Sequence, residues 1–128
     1  MPADYTIDTE RRLVYSRGWG DLTDADLLEH QRRLALDPRF HPDFSQLIDL
    51  LGVSSAEGVT ANGVMEVAKR HVYGPRSRRA LVATDLATFG LARMFQTYRD
   101  IAGGEDQIHV FTSLEDAWAW LRISPGTA

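Results

Sequence analysis

The sequence closes on Val110-Phe111-Thr112-Ser113-Leu114-Glu115-Asp116-Ala117-Trp118-Ala119-Trp120-Leu121, in which a short apolar strand leads into an amphipathic helix. Ser113, followed three residues later by Asp116, is typical of a helix N-terminus. Helical spacing predicts that the inward face consists of Leu114, Ala117, Trp118 and Leu121. Strands that feed helices in this way pair in parallel, because parallel neighbours need a crossover connection and a helix usually supplies it. We therefore expect an α/β fold.

Two similar strand and helix units precede this one. Residues 46–51 predict a strand, and after a loop a helix begins near Ala61 and ends at Gly74-Pro75. Residues 80–83 form a continuous apolar run, as in a strand covered on both faces, and are the predicted middle of the sheet. The two helices should bury Val64, Val67, Ala68 and His71, and then Leu91, Met94, Phe95, Tyr98, Ile101 and Ala102.

The N-terminal third predicts a hairpin and a helix. Residues 5–8 and 13–19 are rich in β-branched and aromatic residues, and we expect them to pair as antiparallel strands. Thr23 and Asp26 have the spacing of a capping box, which predicts a helix that ends near Leu36 before Asp37-Pro38. We expect Phe40 and Phe44 to fix the following link to the core. The predicted order is ββαβαβαβα.

Composition limits the kind of protein. The 128 residues are 44% hydrophobic, which suits one core, so we expect a single domain over residues 1–123 and a flexible tail over 124–128. A net charge of -4 disfavours a general nucleic-acid binder, which needs a broad positive field. The sequence has no cysteine, no N-terminal leader pattern and no run of ~20 apolar residues. We expect a cytoplasmic protein without integral membrane association.

The chain resembles the SpoIIAA-like family of the STAS superfamily over nearly its whole length. The motifs that carry the resemblance are Asp37-Pro38-Arg39-Phe40, Leu47-Ile48-Asp49-Leu50, Arg79-Ala80-Leu81-Val82-Ala83, Phe89-Gly90-Leu91-Ala92-Arg93-Met94-Phe95 and Ala117-Trp118-Ala119-Trp120-Leu121. The resemblance implies a mixed sheet of four or five strands with helices mainly on one face. It relates the domain to anti-sigma-factor antagonists and, more distantly, to CRAL-TRIO lipid-binding domains.

The resemblance also implies a position for a regulatory phosphate. The antagonists of this family are phosphorylated on a serine at the start of the helix after the third strand, in an Asp-Ser-Ser-Gly-Leu context. That motif is missing here, and the matching segment offers Ser54, Ser55 and Thr60 as phospho-acceptors. A phosphate at a helix N-terminus is stabilised by unpaired N–H groups and the helix dipole. The alternative is that Thr60 is an ordinary N-cap and the serines are ordinary loop residues.

Two further groups of residues are candidate binding surfaces. Phe89 falls on the polar side of its helix, near the carboxyl ends of the parallel strands where ligands gather in open sheets, and Trp120 lies off the inward face of the last helix. The alternative for both is packing against a loop or the core edge. A basic cluster of Lys69, Arg70, His71, Arg76, Arg78 and Arg79 suits an anion. The alternative is that these cations stabilise a helix C-terminus and the turn after it.

No catalytic constellation is recognisable in the sequence. The four histidines are scattered, and no phosphate-binding loop or nucleophile elbow is present, so we predict no metal and no cofactor. An enzyme would need a cleft where Asp49 or Asp85 meets a basic group.

Two binding functions therefore lead. The first is a regulatory protein-interaction module that docks a protein partner through residues 54–63 and forms a homodimer through Phe89, Met94 or Trp120. The second is a carrier or sensor of a small apolar or amphipathic, lipid-like molecule held between helices and sheet near Phe89 and Tyr98. The carrier requires an internal apolar cavity.

Overall fold

The computed structural model describes residues 2–125. Within that range the strands are β1 (Ala3–Asp8), β2 (Leu13–Thr23), β3 (Ser45–Gly58), β4 (Arg78–Val82) and β5 (Gln107–Phe111). The helices are α1 (Asp24–Leu36), α2 (Ala61–Ala68), α3 (Leu86–Ile101) and α4 (Leu114–Leu121). The predicted order of elements is confirmed. The tail predicted for 124–128 lies partly outside the described residues.

One five-stranded sheet has the order β1-β2-β3-β4-β5. The first two strands are antiparallel and all other neighbours are parallel, which confirms the predicted mixed sheet. The middle strand is β3, so the prediction that residues 80–83 form the middle was wrong. β4 lies next to β3 and is buried on both faces at Ala80, Leu81 and Val82. Burial on both faces explains its apolar run, because any interior strand meets that condition.

The helices cover the two faces of the sheet unequally. On one face, α4 packs Ala117 and Leu121 against Leu13, Leu47 and the alanine and valine of β4. On the other face lie α1, α2 and α3, which bury the alternate side chains of the same strands, including Ile48 and Leu81. Three of the four described helices thus share one face, as predicted.

β3 is much longer than its predicted counterpart. It runs for 14 residues to Gly58, where the sequence predicted a loop after Leu51. Its first half pairs with both β2 and β4, but β4 reaches only Asp49, and residues 52–58, the outer half of β3, pair with β2 alone. The register shifts three times along that pairing. Backbone hydrogen bonds can hold such a two-stranded ribbon without alternating apolar side chains. The pattern of apolar residues therefore did not predict this part of β3.

α2 is shorter than predicted because a side chain from α3 caps it. The helix ends at Ala68, and His71, predicted to be buried, is exposed. Arg99 donates from Nη1 to the carbonyl oxygens of Ala68, at 2.9 Å, and Arg70, at 3.3 Å. A guanidinium at a helix C-terminus satisfies carbonyls that have no partner within the helix.

α3 presents a different face to the core from the one predicted. Its buried residues are Thr88, Ala92, Phe95 and Arg99, whereas Ile101 is 75% exposed. Leu91, Met94 and Tyr98 are partly buried at the edge of this face. The helix is rotated relative to the predicted orientation because it buries Arg99. The apolar pattern alone places this arginine on the outside.

Local signals at the helix starts were reliable. The capping box of α1 is formed by Thr23 and Asp26, and Ser113 accepts the amide of Asp116 at the start of α4. Phe40 and Phe44 contact each other at a right angle, with ring centroids 6.5 Å apart, and fix the link between α1 and β3 to the core. Within residues 2–125, no helix combines the length and apolar character that a membrane span requires.

Candidate functional site

A cavity of about 130 Å³ lies between the sheet and helices α1, α2 and α3. Apolar side chains form most of its wall, namely Leu22, Leu27, Leu34, Ile48, Leu50, Val59, Val64, Val67, Leu81, Leu91, Ala92 and Phe95. The cavity occupies the layer between helices and sheet that the carrier hypothesis requires. Phe89 and Tyr98, near which the sequence analysis placed the ligand, do not line it.

A chain of hydrogen-bonded side chains crosses the sheet beneath the same helices. Gln46 donates from Nε2 to Ser16 Oγ at 2.9 Å, and Arg79 Nε donates to Gln46 Oε1 at 3.0 Å. Arg79 Nη1 donates to Asp106 Oδ2 at 2.8 Å, and Arg99 donates to the other oxygen of the same carboxylate. Ser16, Gln46 and Arg79 also line the cavity. The apolar chamber therefore has a polar strip on its sheet side.

His30 of α1 ends this strip as a neutral imidazole. Its Nε2 lies 3.0 Å from Ser16 Oγ. The Ser16 hydroxyl, which accepts from Gln46, can pair with either neutral tautomer of His30, as donor or as acceptor. Burial, with the positive charges of Arg33 and Arg79, lowers the pKa of His30 to about 4. The imidazole adds no positive charge to the cavity near neutral pH.

Asp106 is shared between two buried guanidinium groups. Its side chain is fully buried, and Arg79 and Arg99 are nearly so. Burial alone would raise the pKa of Asp106, but the adjacent Arg79 and Arg99 guanidiniums outweigh it and hold that pKa below its ordinary value. The second positive charge is offset in part by the α2 carbonyls that accept from Arg99. This cluster joins α3, β4 and the turn before β5.

Two side chains that line the cavity each carry a buried polar atom without a partner. Gln31 of α1 donates from Nε2 to the Val67 carbonyl at 3.1 Å, and its Oε1 has no hydrogen bond. Tyr73, in the link between α2 and β4, has an unpaired hydroxyl group. Gln31 is 7% exposed and Tyr73 is 5% exposed. Buried polar side-chain atoms are normally hydrogen-bonded, so these two are exceptions.

A solved structure bears on the fold. The chain is similar to an uncharacterized protein from the DUF3478 family with a SpoIIAA-like fold, from Shewanella loihica PV-4, at 19% sequence identity and a TM-score of 0.60, with 93% of each chain covered. The chain has a SpoIIAA-like fold. No family model matches the sequence, and no curated protein matches it either. The similarity supports the architecture and carries no activity with it.

In this SpoIIAA-like fold, the three predicted phospho-acceptors lie in different surroundings. Ser54 is exposed in the outer half of β3, and Ser55 accepts the amide of Glu57 at 3.2 Å in the same strand. Thr60 is the N-cap of α2, and its hydroxyl donates to Asp24 at 2.6 Å while its backbone N–H donates to the other oxygen of that carboxylate at 2.8 Å. A phosphate on Thr60 would lie against Asp24, so Ser54 and Ser55 are the more suitable acceptors.

The predicted apolar surface residues are not gathered into one site. Phe89, Met94 and Tyr98 are each partly buried on α3. Trp120 is partly buried against its own chain, with its ring 4.7 Å from His109 and 5.7 Å from Phe111 between centroids. Leu86, at the start of α3, is 88% exposed and was not singled out from the sequence. The homodimer remains a prediction.

The basic cluster divides between surface and core. Lys69, Arg70 and Arg76 are exposed, and Lys69 lies 3.5 Å from Glu66. Arg78 donates to the Trp120 carbonyl at 2.6 Å and lies over the Trp120 ring. Arg79 is buried with Asp106, so its assignment to a surface anion patch was wrong. Alternation along β4 explains the difference, because successive side chains point to opposite faces.

Among residues 2–125, no basic group meets either carboxylate considered for catalysis in a cleft. Asp49 accepts from the Tyr15 hydroxyl at 2.9 Å, and Asp85 caps α3 by accepting the amide of Thr88. Over the described residues, no three histidine or acidic side chains converge to hold a metal ion. The polar groups that the structure does gather are Ser16, His30, Gln46, Arg79, Arg99 and Asp106.

Sequence reasoning missed this buried cluster because its members are far apart in the chain. One local signal existed at Gly103-Gly104, directly after α3. A Cβ atom on Gly104 would lie 2.5 Å from Arg99 Nη2. The second glycine is therefore required for Arg99 to lie beneath the turn, and a glycine pair after an arginine was the available clue.

Proposed function

We propose that the protein is a non-enzymatic binding module that carries or senses a small apolar molecule in the cavity between its sheet and helices α1, α2 and α3. The cavity itself carries this proposal. Its volume of about 130 Å³ is close to that of an engineered apolar cavity of about 150 Å³ that binds benzene. A molecule with a single ring has a suitable size.

Energetics favour an occupant. The apolar side chains that face this space lack the close packing partners of a filled core. A ligand that fills the space restores the lost contacts, and binding to the native state alone also stabilises the fold.

Toluene is a direct probe of the cavity. We expect saturable amide chemical-shift changes on toluene addition, confined to residues of α1, α2, α3 and the sheet face beneath them. Ala92→Leu places extra side-chain volume in the cavity, and we expect it to abolish toluene binding while leaving the fold intact. Ala87→Leu, on the exposed face of the same helix, is the matched control and should bind toluene normally.

Opposite results would reject the proposal. If the wild-type protein shows no saturable response to toluene, the cavity does not accept apolar molecules. If Ala92→Leu instead lowers stability by about 1–3 kcal/mol, the position was already fully packed.

A second function rests on the outer half of β3. Because β4 ends opposite Asp49, one edge of residues 52–58 has no strand beside it within the described structure, and such an edge suits a partner's strand. We propose that a regulatory protein partner adds to this edge and that phosphorylation of Ser54 or Ser55 weakens the contact. Intact-mass measurement of protein from its own host tests for the phosphate. Ser54→Asp tests the effect of the charge on any captured partner, and Thr9→Asp, in the exposed turn between β1 and β2 at the opposite end of the sheet, is the control.

A further inference from the structure

The two unpaired polar atoms in the cavity define what a ligand must offer. Among the described residues, four buried side-chain atoms have no hydrogen-bond partner, on Gln31, Tyr73, Ser77 and Arg99. Of these, only Gln31 and Tyr73 line the cavity. The other two lie outside its wall. A polar occupant of the cavity can satisfy the unpaired atoms of these two lining residues, which its apolar walls cannot do.

The Gln31 oxygen can only accept a hydrogen bond, whereas the Tyr73 hydroxyl can donate or accept one. The Nε2 of Gln31 is held by the Val67 carbonyl, so Oε1 is the free end of the amide and can only accept. Burial raises the pKa of Tyr73, which keeps its hydroxyl protonated and able to donate. The Arg79 guanidinium lies 4.3 Å from the centre of the Tyr73 ring. A ligand group that both donates and accepts suits this pair.

The unpaired oxygen of Gln31 and the neutral Tyr73 hydroxyl favour an uncharged ligand group. Two cationic side chains also line the cavity: Arg79 already donates to Asp106 and to Gln46, and the exposed Arg17 lies 5.7 Å from the centre of the Trp19 ring. A carboxylate would need to leave water to face the acceptor oxygen of Gln31. An ammonium would face the buried Arg79. A neutral hydroxyl group meets neither penalty, because it donates to one atom and accepts from the other.

We propose that the ligand is a compact uncharged alcohol or phenol whose hydroxyl group donates to Gln31 Oε1 and accepts from the Tyr73 hydroxyl. This inference rests on the proposed ligand-binding function and adds the chemical class of the ligand. The apolar wall holds the body of the molecule. The polar pair gives the cavity selectivity between molecules of the same size.

The experiment compares phenol with toluene, which has the same size, and with the slightly larger anion benzoate, by chemical-shift titration of the full chain. We expect phenol to bind about tenfold more tightly than toluene, as one net hydrogen bond provides. Tyr73→Phe and Gln31→Leu keep the shape of the wall and remove the polar atoms, and each should abolish the preference for phenol. Tyr15→Phe, on the opposite face of the sheet, should leave all three affinities unchanged.

Each outcome decides one point. If toluene binds as tightly as phenol, the hydroxyl proposal is overturned while the carrier function stands. If benzoate binds most tightly, the ligand is anionic and the proposal is also overturned. If none of the three binds to the folded wild-type protein, the carrier function itself is rejected. If Gln31→Leu does not fold, Tyr73→Phe alone still tests the preference, since the Tyr73 hydroxyl holds no other group.

Discussion

Replacing Asp106 with asparagine tests the buried charge cluster. The carboxylate accepts hydrogen bonds from Arg79 and Arg99, and none of its side-chain surface is exposed. Asparagine has nearly the same shape, but it carries no charge, and its amide group offers a donor to one of two arginines that need an acceptor. Asp106→Asn therefore leaves two buried guanidiniums without an anion.

The size of the effect follows from the burial. A charge pair at ~4 Å is worth about 4 kcal/mol at an effective dielectric constant near 20. Removal of one partner from a buried pair typically costs about 3–5 kcal/mol. We expect Asp106→Asn to lower the free energy of unfolding by at least this amount, which is a large part of the stability of a typical domain.

Urea unfolding followed by circular dichroism measures this loss. The midpoint should fall sharply while the slope of the free energy with urea stays the same. Glu29→Gln is the control, because Glu29 pairs with Arg32 on the exposed side of α1 and should change stability by at most about 0.5 kcal/mol. If the free energies of unfolding of Asp106→Asn and of this control differ by less than about 1 kcal/mol, Asp106 is not buried between the arginines, and the reasoning fails.

Three other predictions concern pH and glycine positions. His30 has a pKa of about 4 in the native protein, against an ordinary value of 6.5. As the pH drops, the unfolded chain therefore binds a proton at this histidine before the native protein does. The free energy of unfolding should fall by roughly 3 kcal/mol between pH 6.5 and pH 4. Urea midpoints across this range measure the slope, which His30→Gln should flatten and His41→Gln, on the surface, should not. Gly90→Ala should raise the melting temperature, by up to about 1 kcal/mol in free energy, because open space surrounds Gly90 within α3, and a lower melting temperature would contradict this. Gly63→Ala should lower stability by roughly 1–3 kcal/mol, since its Cβ would lie 2.0 Å from Asp24 Oδ1. A double-mutant cycle with Asp24→Ala should show partial rescue, and strict additivity would count against the clash.

Local signals predicted the elements of the fold, and long-range contacts decided their limits. The Thr23 and Ser113 caps are formed by neighbours in the sequence, so their positions were readable. The end of α2 depends on Arg99, which lies 31 residues after Ala68. The outer half of β3 depends on backbone pairing with β2. Neither contact produces a periodic pattern of apolar residues in the segment that it stabilises.

The candidate site was predicted less well than the fold. The layer that holds the cavity follows from the α/β architecture, and the carrier hypothesis located it there. The residues that line the cavity could not be predicted in the same way. The orientation of α3 is set by the burial of Arg99 rather than by the position of its apolar residues. Gln31 lies on the buried face of α1, and only the structure reveals that half of its amide has no partner.

The placement of α4 alone on one face of the sheet has a consequence for synthesis. Strands β1 to β4 leave the ribosome before α4, which follows β5 at residues 114–121. Until α4 is complete, the surface that carries Leu13 and Leu47 has no helix to cover it. A nascent chain at that stage exposes an apolar sheet face and is prone to aggregate. Folding on the ribosome therefore depends on the last strand and helix unit, and a chaperone that shields apolar surface would act before that unit emerges.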